Sequence, residues 1–176
     1  MLLKDVAEII FSFPDKCPDR PAQWLYPAFL QERNVITETK TENQFKLNPA
    51  YKVQKCDIII KRIQPQFVNY ISTEMDAYVG QNLVIVRSRG DVDAQYLAYI
   101  LERDLSKLYK DTTGATLTAL NRKGFDEFDL GILPTRQRQK AIGQLWWLSK
   151  EKAKLQQTLL VKEQQVLEYK LKSFTK

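Results

Sequence analysis

Residues 135–174 read TRQRQKAIGQLWWLSKEKAKLQQTLLVKEQQVLEYKLKSF. Gly143 is the only glycine, there is no proline, and Lys, Gln, Glu and Leu make up the bulk. These straight-chain residues lose little rotamer freedom in a helix. The stretch therefore predicts a single helix about 60 Å long at ~1.5 Å rise per residue. Trp146, Ala153, Leu160, Leu167 and Phe174 recur every seven residues, and Ile142, Leu145, Leu159, Val166 and Leu171 widen that seam. Leu148 and Leu155 extend it further. A two-stranded coiled coil needs only a narrow seam, so a stripe this broad calls for more than one neighbour. The expectation is a helix that packs on its own domain and pairs with a partner helix as a coiled coil. A helix folded wholly onto its own domain is the alternative.

Upstream of Thr135 the signals are mixed, which predicts an α+β fold: a globular domain over residues 1–134, then the helix over 135–176. Leu2–Phe13 fits a short helix or the start of a strand, after which Pro14, Pro18, Pro21 and Pro27 break any long element. Residues 31–50 are polar and read as loops with at most one short strand near Val35–Thr37. Cys56–Lys61 (CDIIIK) is a strand of β-branched residues, and Gln66–Ser72 is a candidate for the next. Leu83–Val86 (LVIV) fits a strand buried on both faces. Asp93 is placed to cap a helix carrying Tyr96, Leu97, Ile100 and Leu101 at helical spacing. Thr112–Thr116 reads as a turn, and Phe125–Leu133 as a last extended segment closed by Pro134.

Composition removes several function classes. The chain has no histidine, which excludes Ser–His–Asp and Cys–His nucleophiles and histidine-held zinc. Its six glycines are scattered and form no phosphate loop. The candidate acidic groups, around Glu38, Asp91/Asp93 and Glu102/Asp104, lie in polar or helical stretches where solvated charge is the ordinary role. A carboxylate–lysine nuclease survives only as a rival. Two cysteines are too few for a disulfide scaffold and fit a reducing cytoplasm. No segment is apolar enough to span a membrane or to act as a signal peptide. The net charge of +6 is concentrated in the last helix: residues 135–176 hold ten Lys/Arg against three Glu, whereas residues 1–134 are close to neutral. A basic tail favours an acidic partner such as nucleic acid.

Five short signals in order resemble the recognition repeat of type I restriction–modification specificity subunits. Leu3–Ile9 (LKDVAEI) is similar to its opening segment, and Lys55–Ile60 (KCDIII) to its "GDIL" strand. Asp93–Leu101 (DAQYLAYIL) is similar to its "xxYLxYxL" helix, Thr113–Thr116 with Leu120 to its "GxT…L" turn, and Leu133-Pro134 with Gln139 and Ile142 to its "LPPLxEQxxI" lead into a spacer helix. Cys56 stands where the family usually has glycine, and Thr135-Arg136 replaces Pro-Leu. A full specificity subunit carries two repeats, and this chain carries one.

The resemblance implies a non-catalytic half-subunit that reads double-stranded DNA, homodimerises through antiparallel C-terminal helices and reads a split palindromic site. It also implies docking to a methyltransferase (modification) subunit, with a restriction subunit as a further candidate partner. No cofactor is expected on this chain: S-adenosylmethionine and ATP would belong to the partner subunits. A dimeric adaptor or decoy that has lost DNA binding is the alternative.

Base edges are read best by Arg, Lys, Asn and Gln. The richest such stretch is Lys61–Tyr70 (KRIQPQFVNY). Arg62, Gln64, Gln66 and Asn69 are therefore expected on bases, with Lys61, Arg87 and Arg89 on phosphates of the same rim. Ile142, Leu145, Trp146, Ala153, Leu160, Leu167, Leu171 and Phe174 are expected to face a partner helix.

Overall fold

A computed structural model describes residues 1–109 and 118–174. Its centre is an antiparallel sheet in the order β1 (Ala7–Phe11), β9 (Leu83–Ser88), β6 (Ile58–Lys61), β7 (Val68–Tyr70). Alternate side chains leave opposite faces of a strand, and both faces of this sheet are covered. Ile58, Ile60, Val84 and Val86 join a core built with Leu97, Leu101 and Phe125. Ile59, Leu83 and Ile85 join a second core with Leu25, Leu30 and Val79. The apolar run at Leu83–Val86 is thus doubly buried, as its composition predicts.

The second core is closed by a three-stranded sheet, β5 (Lys40–Glu42), β2 (Ala22–Leu25), β8 (Tyr78–Val79), and by a small hairpin, β3 (Leu30–Gln31) with β4 (Val35–Ile36). The expectation of loops with at most one short strand over residues 31–50 is corrected here: β4 and β5 both lie within them, after β1, β2 and β3. These strands run from two to five residues. Most are too short to show a period, and Lys40-Thr41-Glu42 has no apolar face at all. Outside the local β3–β4 hairpin their partners are distant in sequence, which is what makes them strands. Leu2–Phe13 contains both alternatives in succession, a one-turn helix α1 (Leu3–Val6) and then β1.

Asp93 does cap α2 (Ala94–Arg103), accepting from the amides of Gln95 and Tyr96 at 3.1 Å each. Tyr96, Leu97, Ile100 and Leu101 are its buried side, and a 3₁₀ turn over Leu105–Tyr109 adds Leu105 and Leu108. The expected extended segment from Phe125 is instead a short helix, α3 (Arg122–Asp126). Asn121 is its cap, accepting from the Gly124 amide at 2.8 Å. Only Asp129 pairs like a strand residue, in a bridge to Leu2. The Thr113–Thr116 turn lies outside the described residues.

Cys56 has φ +72°, in the left-handed region where glycine carries no steric penalty. That is the position at which the specificity-subunit motif usually has glycine. Its Sγ accepts from the Tyr70 hydroxyl at 3.2 Å.

The last helix, α4 (Arg136–Phe174), runs unbroken. Its opening turns are part of the domain core. Gln139 is buried, taking the Asp93 amide at 3.0 Å and donating to the Pro134 carbonyl at 2.9 Å. Gly143 meets the backbone of α2 directly. Trp146 donates its indole N–H to Glu102 at 2.8 Å, Lys150 pairs with the same carboxylate at 2.6 Å, and the Trp147 and Tyr70 rings stack edge-to-face at 5.4 Å. Among the described residues no helix is long and apolar enough to cross a membrane.

Candidate nucleic-acid interface

The β6–β7 connection is the place where the sequence concentrates hydrogen-bonding side chains, and part of that cluster survives in three dimensions. Arg62 follows β6, with its amide bonded to the Asn82 carbonyl at 2.8 Å and its own carbonyl taking the Leu120 amide at 2.7 Å. Two backbone bonds to separate segments hold this residue in place. Its guanidinium lies 5.2 Å from the ring of Phe13, which is itself exposed. The Nε is buried without a partner among the described residues. A planar, five-donor group stacked on an aromatic face is pre-organised for bidentate recognition. Lys61 sits beside it, its ammonium 5.0 Å over the Phe67 ring.

Gln64 and Gln66 are exposed on the same loop. Gln64 has φ +50°, and its amide bonds to the Thr118 carbonyl at 2.8 Å. Lys61, Arg62, Gln64 and Gln66 are therefore brought together at one end of the central sheet, with Phe13 beside them. Phe13 was not singled out by sequence reasoning. Its signal, a large aromatic left exposed between Ser12 and Pro14, exists only once the fold is known.

Three of the expected DNA contacts lie elsewhere. Asn69 is fully buried and donates to the carbonyls of Gln31 (3.1 Å) and Val35 (3.5 Å). It ties the β3–β4 hairpin to the edge strand β7. Asn34 completes that tie from the hairpin tip, bonding both the carbonyl and the amide of Tyr70. Asn69 is a structural staple, since a side chain at zero exposure cannot reach a base edge.

Arg87 and Arg89 are at the wrong end of the sheet for the expected rim. β6 and β9 are antiparallel, with Lys61 opposite Leu83 and Ile58 opposite Val86. Arg87 is thus four residues along β9 from the Lys61 end, about 13 Å at ~3.3 Å per residue. It is also engaged: its Nε and terminal nitrogen meet Asp57 at 2.8 and 2.9 Å, and it donates to the Lys52 carbonyl at 3.1 Å. Asp57 is fully buried and holds the Arg87 guanidinium in its charged form. Arg89 is exposed beside α1, its amide on the Val6 carbonyl.

The expected partner-helix residues also divide. Trp146 is buried and Ile142 half-buried against the domain, so their contacts are internal. Ala153 is half-buried. Leu145, Leu160, Leu167, Leu171 and Phe174 are exposed. Farther along α4, Gln157 accepts from Arg33 of the hairpin tip at 2.9 Å. Among the described residues, no cluster of acidic or cysteine side chains could hold a metal ion.

The architecture is an α+β domain whose final helix begins as a core element and continues as a largely exposed rod. No protein-family profile and no curated protein matches the sequence. Solved structures do. The HsdS subunit from Thermoanaerobacter tengcongensis has a TM-score of 0.56 at 18% identity, over 86% of this chain and 38% of that one. The type I restriction-modification system S subunit from M. genitalium gives 0.61 at 11% identity, over 94% of this chain and 42% of that one. A chain from a structure of complex assembly and conformational transition in the type I R-M system gives 0.59 at 19% identity, over 98% and 42%. This chain therefore has the fold of type I restriction–modification specificity subunits, and spans about two fifths of the length of these structures.

Proposed function

We propose that this chain is a DNA-recognition half of a type I specificity subunit: non-catalytic, cytoplasmic, homodimeric through α4, and docked to a methyltransferase subunit that carries the chemistry. The observation that supports it most is the whole-chain likeness to specificity subunits over about two fifths of their length, which fits one repeat of a two-repeat protein. Lys61, Arg62, Gln64 and Gln66 form the reading edge in this proposal, with Arg62 on its Phe13 shelf as the principal base contact. Arg89 remains a candidate for a separate phosphate contact. Two copies related by a two-fold axis read a split palindrome, because paired half-sites mirror protein symmetry.

The near-neutral charge of residues 1–134 gives little phosphate neutralisation, the main source of sequence-independent affinity. Tight binding is expected only with the modification subunit present. Selection from random duplex DNA, with and without a candidate methyltransferase subunit, tests the proposal. Enrichment of a split palindrome supports it; a folded dimer that selects nothing under either condition is the adaptor instead. Within a selected site, Arg62→Ala is expected to cost about 1–3 kcal/mol and relax one base position. Unchanged affinity and unchanged preference at every base would remove Arg62 from the reading edge.

A further inference from the structure

Phe13 is 54% exposed, yet its backbone is held on both sides. Ser12 before it is buried, donating its hydroxyl to the Val79 carbonyl at 2.7 Å and its amide to the Leu83 carbonyl at 3.1 Å. Pro14 after it is buried as well, and a residue that precedes proline is restricted to extended backbone. Single exposed apolar side chains are ordinary. This ring, however, also carries the Arg62 guanidinium over its face, 5.2 Å from the centroid. Arg62 is itself fixed by backbone bonds to Asn82 and Leu120. Anchored backbones and a stacked contact leave the two side chains little freedom to lose on binding.

The chemistry of the pair says which base edges it suits. Arginine meets guanine through two parallel bonds to O6 and N7 in the major groove. The Arg62 Nε is buried and without a partner among the described residues, so the two terminal nitrogens are left to make that contact. A planar guanidinium bonded in this way lies in the plane of the base pair. A ring stacked on its face then lies in the layer of the next pair. Successive pairs are ~3.4 Å apart, and 5.2 Å from guanidinium carbon to ring centroid covers one such step with a lateral offset, but not two. The apolar group that a base pair offers in the major groove is the thymine methyl, which phenylalanine suits. Aromatic rings also engage DNA as wedges between base steps. An inserted ring stacks on both its faces, whereas one face of Phe13 is taken by Arg62.

We infer that Phe13 is a specificity-determining residue: Arg62 reads a guanine, and Phe13 reads the thymine methyl of the A·T pair next to it. The inference rests on the reading edge proposed above and assigns its preference at two neighbouring positions. Phe13 thereby has two roles, holding the guanidinium in plane with one pair and covering the methyl of the next.

Removal of single methyl groups from the DNA tests this. Duplexes carrying the selected half-site are made with each thymine replaced in turn by uracil, which pairs in the same way and lacks only the C5 methyl. Affinities are measured by competition, with the modification subunit present, for the wild type, Phe13→Ala, Phe13→Gln and Ile63→Ala. Ile63 is the other exposed apolar residue of this edge, at 40%, and serves as the control. Neither position is in the core, so the substitutions leave its packing intact. One uracil, in the pair beside the guanine whose preference Arg62→Ala relaxes, is expected to weaken wild-type binding about fourfold, the worth of one buried methyl. The same replacement should leave both Phe13 variants unaffected and keep its full effect in Ile63→Ala. A uracil cost equal in the wild type and the Phe13 variants overturns the methyl contact. So does a half-site in which the guanine read by Arg62 has no A·T neighbour, or an effect lost only in Ile63→Ala. Each of these outcomes leaves the role of Arg62 standing. An Arg62→Ala protein with unchanged preference at every base, or a protein that selects no sequence, overturns the reading edge and the Phe13 contact with it.

Discussion

Gly143→Ala should destabilise the protein although it places a better helix former in a helix. On propensity alone the change would stabilise by about 1 kcal/mol. The structure opposes it. A Cβ on Gly143 would lie 2.5 Å from the Tyr96 amide nitrogen and 2.9 Å from the Gln95 carbonyl carbon, with the Gln95 Cβ at 2.8 Å. Two of these three atoms are backbone of α2, so no rotamer change relieves the overlap, and the two helices must separate. Separation strains the bonds that cross the same contact: Trp146 to Glu102, Lys150 to Glu102 and the Asp93 amide to Gln139. Overpacking of this kind costs about 1–3 kcal/mol, and a weakened hydrogen bond about 1 kcal/mol more. After the propensity gain, the expected net loss is about 2 kcal/mol. Urea unfolding followed by tryptophan fluorescence measures it, since Trp146 sits at this contact. Ala141→Gly, at an exposed position two residues earlier, calibrates the propensity term. A Gly143→Ala protein more stable than the wild type by about 1 kcal/mol would refute the close packing of α4 on α2.

Other perturbations read other parts of the structure. Asp57→Asn leaves the Arg87 guanidinium without its buried carboxylate and should cost about 3–5 kcal/mol, measured by urea unfolding; a loss under 1 kcal/mol would mean the pair is not buried as described. Glu42 is held down to about 2 by its ion pair with Lys40, then by the Tyr26 hydroxyl and the Gln44 amide. A depressed carboxyl stabilises above its unfolded value, so the Glu42 contribution is complete at neutral pH and is lost as pH falls from about 4.5 towards 2. The stability gap between wild type and Glu42→Gln should therefore close over that range, and a gap constant from pH 7 to 2.5 would contradict it. Cys56→Gly should be neutral or stabilising by up to about 1 kcal/mol, because φ +72° suits glycine. Cys56→Val should destabilise by more than about 1 kcal/mol, and a valine protein as stable as wild type by thermal unfolding would show that the turn is not strained.

Elements with a strong local signal were legible in the sequence. β6, β9, α2 with its Asp93 cap, and α4 each carry a run, a period or a cap that specifies them without help. The short strands β2, β5 and β8 do not, because their hydrogen bonds join segments far apart in the chain, and the two-residue strands of the β3–β4 hairpin are too short to show a period. The candidate site was legible in the same proportion. The loop carrying Lys61, Arg62, Gln64 and Gln66 is a local cluster and stays one. Asn69 is one residue of a strand whose alternation turns it away from the helical core and under the hairpin. Arg87 follows a strand in sequence, yet the antiparallel register carries it away from Lys61 and onto Asp57.

For α4 the division is clearest. Sequence by itself determined that residues 135–174 form one helix and that its apolar side chains outnumber what one narrow seam can use. It could not say which azimuth faces the domain, since Trp146, Leu145 and Leu148 are equivalent on the criterion of hydrophobicity. Only the tertiary structure decided this. Glycine at 143 lets α4 approach the backbone of α2, Glu102 and Tyr70 then take Trp146, Lys150 and Trp147, and the remaining leucines are left pointing outward. A helical period fixes relative angles around an axis, whereas the absolute orientation of that axis is set by contacts with residues some forty to seventy-five positions away.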